Sequence, residues 1–538
     1  MTEKKKFACS MISALAILSL ALPLLSPVVA ASPVTEIRDW YELHAITNNL
    51  SSHYVLMNDL DATTAGYEEL AGPAANEGKG WEPIGIYESG GSFAPFVGTF
   101  DGQGYEIRDL FIDRADEMAV GLFGAVVGWD EGGVIENVYV MNANVTGDVG
   151  VGGLVGLNGG TVNSCCSNGN ITGGSRVGGV VGLNIETVKG CSFEGMVTGY
   201  YILVGGVVGY NMDHVSSSYS DGSVMGGLGV GGLVGLNDGT VGDSGAGSDV
   251  TGDEYVGGLV GHNQEGTVGN CYSSGNVTGD LRVGGVVGFN DYGGTVARSY
   301  ASSSVAGDTL AGGLVGYNRG IVRNSYSRGS VSGNSSVGGF VGGNDGVVRD
   351  CFWDSEASNM ETSDGGLDRT TAEMMSIMTF TETKTQGLDA PWDITAVGPG
   401  ETDDTYTWNI VDSESYPFLS GKQFMTHNLT ISSTTGGSVA VPGEGTHTLL
   451  AGEIINLTGD PEAGYRFVNW SGDVDTVADV NAAETSITMQ GNYILAASFE
   501  REVSEGSILG IAAGVVVVGL AVFFVLRRRG EVARTRGQ

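Results

Sequence analysis

The octet VGGLVGLN, at Val151–Asn158, recurs through the middle of the chain with few changes. The seven further copies are Val177–Asn184, Val204–Asn211, Val230–Asn237, Val256–Asn263, Val283–Asn290, Ala311–Asn318 and Val337–Asn344. Successive copies begin 26 to 28 residues apart, and a shorter version, VGLFG at Val120–Gly124, precedes them. This period predicts a solenoid, because one unit cannot bury its own apolar face whereas stacked units can.

Each unit continues beyond the octet with a turn, a valine, a small residue and a second turn, as in GTVGNCYSSGNVTGD at Gly266–Asp280. Short apolar runs separated by Gly, Asn, Ser and Asp are typical of β-strands, and we expect about three per coil. The predicted fold is all-β: a parallel β-helix or solenoid, a small C-terminal β domain and one C-terminal transmembrane helix.

Three positions of the repeat form columns in the predicted stack. The second valine of the octet is expected to fill the interior, because β-branched side chains suit strands. The closing asparagines are expected to bond from coil to coil through their amides. This structural column is Asn158, Asn184, Asn211, Asn237, Asn263, Asn290, Asn318 and Asn344. The third column is small and is expected to be buried. It is Cys165, Cys191, Ser218, Ser244, Cys271, Ser299, Ser325 and Cys351.

Two questions about these columns stay open in the sequence. Cys165 and Cys191 would lie on neighbouring coils, so a disulfide is one alternative and two buried thiols are the other. Leu154 and Val155 are adjacent, and side chains alternate between the two faces of a strand. One of their two columns could therefore face outward as an apolar stripe for lateral contact.

The octets, written as GGLVG-x-N units, resemble the GLUG motif of bacterial and archaeal surface proteins. The preceding sequence fits the usual opening of such β-helices in three segments, Trp40–Thr63, Trp81–Gly85 and Phe96–Ile112. The resemblance covers roughly Ile37–Asp354. It implies a β-helix on a cell-surface protein, and it brings no agreed activity and no catalytic residues.

The two ends of the chain predict export and a membrane anchor. Lys4–Lys6 precede an apolar stretch, Met11–Leu25, and small residues follow around Ala30, as in a signal peptide. Ser507–Leu526 carries no charge, and about 20 apolar residues span a hydrocarbon core of about 30 Å. Arg527–Arg529 follow at once, which predicts a cytoplasmic C-terminus and an extracellular ectodomain. We expect a single-pass protein of a prokaryotic cell membrane, and an archaeal cell surface is compatible with this pattern.

The region after the repeats has a different composition. Thr371–Phe380 predicts a helix, and Trp392, Trp408 and Tyr416–Leu419 are expected to cap the end of the stack. An aromatic sugar-binding platform is the alternative. His427–Glu500 resembles the internalin-type B-repeat, which implies a small β domain used as a stalk or an adhesive module. The matching residues are the Gly436–Gly437 turn, Pro461, Gly464, Tyr465, Phe467, Trp470 and Ala497–Phe499.

These features divide the chain into eight segments. They are a signal peptide (1–31), an N-terminal cap of the β-helix (32–118), the repeat solenoid (119–355), a C-terminal cap region (356–426), the B-repeat-like domain (427–500), a linker (501–506), the transmembrane helix (507–526) and a cytoplasmic tail (527–538).

The composition narrows the function classes. The formal net charge of −37 favours a soluble ectodomain and argues against nucleic-acid partners. Six cysteines, one of them in the predicted signal peptide, have no paired spacing, so we expect no disulfide framework.

One acidic column is a candidate metal site. Asp253, Asp280 and Asp308 fall on successive coils, where carboxylates about 5 Å apart repel unless a cation or solvent screens them. Calcium favours such oxygen clusters. Apart from this candidate, we expect no cofactor. The alternative is a solvated turn, in which Asp is simply a good turn residue.

Sequons mark candidate glycosylation sites in the predicted ectodomain. They are Asn49, Asn144, Asn170, Asn276, Asn334, Asn428, Asn456 and Asn469.

The expected function is adhesion to, or binding of, cell-surface glycans or proteins, or surface scaffolding, without catalysis. One alternative is a β-helix polysaccharide lyase or hydrolase, which needs clustered carboxylates, or bound calcium with an Arg or Lys base. The other is a cell-surface layer built by lateral self-association. The early cations Arg176, Lys189, Arg282 and Arg298 look scattered, and His214 and His262 occupy different places in the repeat.

Overall fold

The computed structural model describes residues 34–87, 93–128, 132–384, 386–420, 426–450, 454–474, 476–488 and 493–501. The predicted signal peptide and the predicted transmembrane helix at Ser507–Leu526 lie outside these residues. Within the described ranges, no helix is both long enough and apolar enough to span a membrane. The chain divides into two compact units, Met1–Lys422 and Gln423–Gln538.

The first unit is a parallel β-solenoid of about nine turns, which confirms the predicted fold of the repeats. Three sheets, A, B and C, run along it, and each turn adds strands to all three. Sheet C holds the end of each octet. Its strands are Phe123–Val127, Val155–Gly159, Val181–Asn184, Val208–Asn211, Val234–Asn237, Val260–Asn263, Val287–Asn290, Val315–Asn318 and Val341–Asn344.

Sheet A holds the short valine-centred strand that follows each octet. Its strands are Val34–Ile37, His53–Leu56, Thr99–Asp101, Val134–Glu136, Thr161–Asn163, Thr187–Lys189, His214–Ser216, Thr240–Gly242, Thr267–Gly269, Thr295–Ala297, Ile321–Arg323 and Val347–Arg349.

Sheet B completes each turn and carries the start of the next octet. Its strands are Glu106–Arg108, Phe111–Asp113, Met118–Val120, Tyr139–Thr146, Val149–Gly152, Cys166–Gly178, Ser192–Gly205, Tyr219–Met225, Leu228–Gly231, Gly245–Ala246, Asp249–Gly257, Tyr272–Ser273, Val277–Gly284, Tyr300–Ala301, Val305–Gly312, Tyr326–Ser327, Val331–Ser332, Ser335–Gly338, Phe352–Asp354 and Leu367–Arg369.

The glycine pair of each octet makes the corner between sheets B and C. Because the chain bends at Gly153–Leu154, the strand alternation is interrupted, and both Leu154 and Val155 are fully buried. The same holds for the equivalent pairs in every later copy. The expectation that one of these columns faces outward as an apolar stripe is therefore wrong.

The small column lies in the core beside sheet A. All five cysteines of the described chain are buried free thiols, so the structure forms no Cys165–Cys191 disulfide. The Sγ atom of Cys191 lies 3.3 Å from the carbonyl oxygen of Lys189, and the Ser218 hydroxyl donates to the carbonyl of Ser216 at 2.9 Å. Cysteine and serine thus play the same local role in this column.

Additional elements flank the turns at both ends. Before the repeats lie α-helices Trp40–His44 and Tyr67–Leu70, 3-10 helices Ala45–Asn48 and Asn76–Gly78, and an antiparallel pair, Ile86–Tyr87 with Phe93–Ala94. After them lie helices Ser355–Ser358, Thr371–Met374 and Ile377–Thr381, and a sheet of Ile394–Ala396, Trp408–Ile410 and Phe418–Leu419.

One sequence expectation for this later region is wrong, and so is one alternative to an expectation. The predicted helix at Thr371–Phe380 is two short helices, because Ser376 has an extended backbone between them. Trp392 and Trp408 are buried against Phe352 and Tyr326 of the last turns, so they offer no exposed sugar-binding platform.

The second unit has two antiparallel-rich sheets around a separate core. One sheet consists of Thr426–Ser433, Gly445–Leu450, Tyr465–Gly472 and Tyr493–Arg501, and the other of Gly437–Val441, Ile454–Pro461 and Glu484–Thr488. Trp470 is buried in that core, and its Nε1 donates to the carbonyl of Ala482 at 3.0 Å.

Candidate functional site

The closing asparagines form a ladder inside the solenoid. Each Nδ2 donates to the Oδ1 of the next asparagine at 2.7–2.8 Å, from Asn158 to Asn344. All but the last are completely buried. This column satisfies its polar groups internally and has a structural role.

Two outward columns lie side by side where sheets B and C meet. One is the residue before each octet, such as Tyr255 or Arg282, which has a left-handed backbone. The other is the residue before each closing asparagine. The columns approach closely because the third glycine of the octet has no side chain: a Cβ at Gly261 would lie 2.5 Å from the nitrogen of Val230.

Aromatic rings replace leucine in the later copies of the second column. His262 and Phe289 stack with centroids 5.0 Å apart and planes at 15°, and Phe289 and Tyr317 stack at 5.6 Å and 13°. Tyr255, from the first column, packs against both His262 and Phe289, at 5.1 Å and 5.2 Å. Aromatic side chains from three consecutive turns therefore make one surface.

Two arginines lie on this aromatic surface. The Cζ atom of Arg282 is 5.1–5.6 Å from the ring centres of Tyr255, Phe289 and Tyr317. The Cζ atom of Arg319 is 5.2–5.6 Å from those of Phe289, Tyr317 and Tyr292. Distances under about 6 Å are favourable cation–π contacts. We name this set the aromatic–arginine patch: Tyr255, His262, Arg282, Phe289, Tyr292, Tyr317 and Arg319.

Carboxylates surround the patch and balance its charge. Glu254 pairs with Arg282, and Asp291 lies 3.8 Å from Arg319 and 3.7 Å from His262 Nε2. Burial lowers the pKa of His262, although Asp291 opposes this, so the imidazole is neutral at pH 7. The patch is thus nearly neutral on a strongly acidic chain.

Several polar atoms of the patch have no hydrogen-bond partner among the described residues. These buried atoms are His262 Nε2, Arg282 Nε and Arg319 Nε. Nearby Tyr292 has 66% of its surface exposed. Unsatisfied polar atoms beside one exposed ring and several half-buried ones suit a ligand with both polar groups and flat apolar faces.

A smaller cluster repeats part of this arrangement four turns earlier. Arg176 lies 5.9 Å from the ring centre of Tyr210, whose hydroxyl donates to Asp238 at 2.6 Å. In the patch, Arg282 lies over Tyr317, whose hydroxyl donates to Asp345. Burial, with Asp238, raises the pKa of Tyr210 to about 12, so this phenol keeps its proton.

The candidate calcium residues lie in line on the surface of sheet B. Asp253, Asp280 and Asp308 are exposed on successive turns, and Asp308 accepts a hydrogen bond from Asn334 at 2.9 Å. Across the described ranges, no group of three or more His, Cys, Asp or Glu side chains is arranged to hold a metal ion. Calcium binding stays a prediction.

Most candidate glycosylation sites are accessible. Six are exposed: Asn49, Asn144, Asn170, Asn276, Asn334 and Asn456. Asn469 is half-buried, and the side chain of Asn428 lies outside what the structure describes. Their occupancy stays a prediction.

The sequence interpretation missed the patch. Arg282 and Arg319 looked unrelated, yet they reach the same rings from two different positions of the repeat. The available signal was the residue before the closing asparagine, which is Leu in the first two copies and His262, Phe289 and Tyr317 in three successive later ones.

Comparisons with known proteins confirm the two resemblances seen in the sequence. Residues 252–278 match the GLUG motif, and residues 427–503 match the divergent InlB B-repeat domain. These matches define repeats and a module, and neither covers half of the chain.

Two curated relatives are similar to part of the chain. Halomucin of Haloquadratum walsbyi is 35% identical over 128 residues, which is 23% of this chain and 1% of halomucin. A protein of Evansella cellulosilytica, provisionally named a Gly-rich membrane protein, is 36% identical over 120 residues, which is 21% of this chain and 12% of that protein. The chain therefore matches only small parts of both relatives.

One solved structure is also similar. It is a candidate immunoglobulin A1 protease from Bacteroides ovatus, with 18% identity, 59% of this chain and 84% of that chain covered, and a TM-score of 0.30. A similarity at this level supports no conclusion about activity.

Proposed function

We propose that the protein is a non-catalytic, membrane-anchored surface protein whose solenoid binds an extracellular glycan or protein through the aromatic–arginine patch. The relative named as a membrane protein supports the location, and so does the GLUG resemblance. The apolar segment Ser507–Leu526 would serve as the anchor.

One observation carries the binding role: the repeat changes its surface chemistry most extensively at the aromatic–arginine patch, beyond the smaller Arg176–Tyr210 cluster. Aromatic rings and guanidinium groups replace leucine and glycine in the patch over three turns. The buried nitrogen atoms of His262, Arg282 and Arg319 named above have no hydrogen-bond partner in the described structure. Aromatic residues and arginine dominate the energetics of many binding surfaces. A purely structural repeat has no need of such a change.

A binding screen tests this proposal. The full chain, purified and labelled, would be applied to an array of polysaccharides and to intact prokaryotic cells. We expect saturable binding to at least one of them. The absence of saturable binding to every glycan and every cell type would contradict the proposed function.

A polysaccharide hydrolase is a second candidate, favoured by one pair of carboxylates. Glu194 and Asp221 are register partners on neighbouring turns, so their backbones are about 4.8 Å apart. Burial raises the pKa of Asp221 to about 6, against a hydrogen bond from Gly222 that lowers it, and Glu194 and Asp249 raise it further. A pair of neighbouring carboxylates, one with a raised pKa, is typical of glycosidases.

Reducing-end release from the same polysaccharides distinguishes the two candidates. We expect none from the full chain. Release that the variant Asp221→Asn abolishes would favour the hydrolase and contradict the non-catalytic proposal.

A further inference from the structure

Tyr200 and Tyr201 project from the surface of sheet B, with 68% and 66% of their surfaces exposed. They lie in strand Ser192–Gly205, which pairs with strand Cys166–Gly178. Gly199 pairs with Gly173 and Ile202 with Ser175, so the two tyrosines stand opposite the single residue Gly174. Such a bulge re-aims side chains, and here it directs two adjacent rings outward.

The neighbouring turns have glycine at the equivalent position. At Gly174, a Cβ would lie 2.6 Å from Asp148 Oδ1 and 3.4 Å from Tyr201 Cδ2. At Gly227, on the other side, it would lie 3.6 Å from Asp253 Oδ2 and 2.8 Å from the carbonyl oxygen of Tyr201. Because the glycines leave space, one carboxylate from each side leans over them towards Tyr201.

This arrangement continues as a line along the solenoid, which we name the turn row. It consists of Asp148, Gly174, Tyr200, Tyr201, Gly227, Asp253, Asp280 and Asp308. At about 4.8 Å per turn, the row is about 29 Å long, the span of roughly nine residues of extended peptide. None of its members is basic, and the whole chain has a net charge of −37.

We propose that the turn row binds a cationic polypeptide segment of a partner protein. Lysine or arginine side chains of that segment would lie on the rings of Tyr200 and Tyr201 and pair with Asp148 and Asp253. The negative field of the chain attracts such a partner and accelerates its encounter. This surface is separate from the aromatic–arginine patch, and the proposal does not depend on ligand binding there.

A titration of the full chain with a decalysine peptide tests the proposal, with maltohexaose as the neutral probe. We expect decalysine to bind at low ionic strength and its affinity to fall strongly as salt is added. We expect no binding of maltohexaose. The double variant Tyr200→Ser/Tyr201→Ser should weaken decalysine binding about fivefold to thirtyfold, the value of two exposed cation–π contacts.

Two control variants separate the row from general acidity. Tyr41→Ser removes another exposed tyrosine, and Asp213→Asn removes the same charge as Asp148→Asn from an exposed turn between sheets C and A. Asp148→Asn should weaken binding more than Asp213→Asn, and Tyr41→Ser should have no effect. Equal binding by the double tyrosine variant and the parent, or equal effects of the two Asp variants, would overturn the proposal. So would binding of maltohexaose in place of decalysine.

Discussion

The Cζ atom of Arg282 lies 5.3 Å from the ring centre of Phe289, at the other end of the same repeat copy. The same guanidinium reaches Tyr255 of the preceding turn and Tyr317 of the following turn. One arginine side chain therefore connects three consecutive turns on the surface of the solenoid. Elsewhere in the repeat, consecutive turns are connected through the core.

Replacing Arg282 with methionine should destabilise the solenoid. The change Arg282→Met keeps much of the side-chain volume, and it removes the cation–π contacts and the pair with Glu254. We expect a loss of about 0.5–2 kcal/mol in unfolding free energy, measured by chemical denaturation. The exposed Arg323, changed to methionine in the same way, should alter stability much less. Equal losses in the two variants would contradict the structural role of Arg282.

The second glycine of the octet should not tolerate a side chain. A Cβ at Gly258 would lie 2.0 Å from the carbonyl oxygen of Gly285 in the next turn. The variant Gly258→Ala should lose about 1–3 kcal/mol because the stacked backbones must move apart. Gly242 is the matched control, since no atom lies within 4 Å of its Cβ position. A Gly242→Ala variant as unstable as Gly258→Ala would show that close approach is not the cause.

The stability lost on replacing an asparagine should depend on its place in the ladder. Replacing Asn237 with leucine leaves Asn211 without its acceptor and Asn263 without its donor inside the solenoid. We expect a loss of about 2 kcal/mol or more, because each buried unsatisfied group costs about 1–3 kcal/mol. Asn344 ends the ladder with one asparagine neighbour, so Asn344→Leu should lose about half as much. Thermal unfolding midpoints of the two variants, compared at one pH, give this ratio, and equal shifts would argue against the ladder.

Asp221 should make the stability of the solenoid depend on pH. Its folded-state pKa of about 6 lies above the unfolded value, because burial and the nearby Glu194 and Asp249 disfavour the charged form. The stability that its protonated form contributes is complete below about pH 4 and is lost as the pH rises through about 6.

The variant Asp221→Asn removes this dependence and keeps an acceptor for the Gly222 amide. It should match the parent at pH 4 and exceed it by about 1–2 kcal/mol at pH 7. Asp213→Asn, at an exposed position away from these carboxylates, is the control for the loss of one surface charge. Unfolding curves at both pH values test the prediction, and an unchanged gap between Asp221→Asn and the parent would contradict it.

The repeat predicted the solenoid because each of its signals is local and recurs. The valines, the small column and the closing asparagines fall at equivalent places in every copy, so stacking in register follows from the spacing alone. The bend at Gly153–Leu154 did not follow from it. Two adjacent apolar residues predict opposite faces in any straight strand, and only the corner brings Leu154 and Val155 into the same core.

The candidate site was harder to predict for a different reason. Arg282 and Tyr317 occupy different positions of the repeat and belong to different turns, and they meet because sheets B and C approach at the third glycine. Comparing columns one at a time cannot show this contact. The turn row was visible as an acidic column, but the direction of Tyr200 and Tyr201 depends on a bulge whose geometry the sequence does not specify.

The most direct test of the proposed function compares patch variants on the ligand that the binding screen identifies. The variants Arg319→Ala and Tyr292→Ala change half-exposed or exposed members of the patch, so the fold should persist, as circular dichroism would verify. We expect each to weaken binding of the full chain about thirtyfold or more, in the range of interface hot spots, whereas Tyr41→Ala binds like the parent. Unchanged affinity in both patch variants would contradict the account.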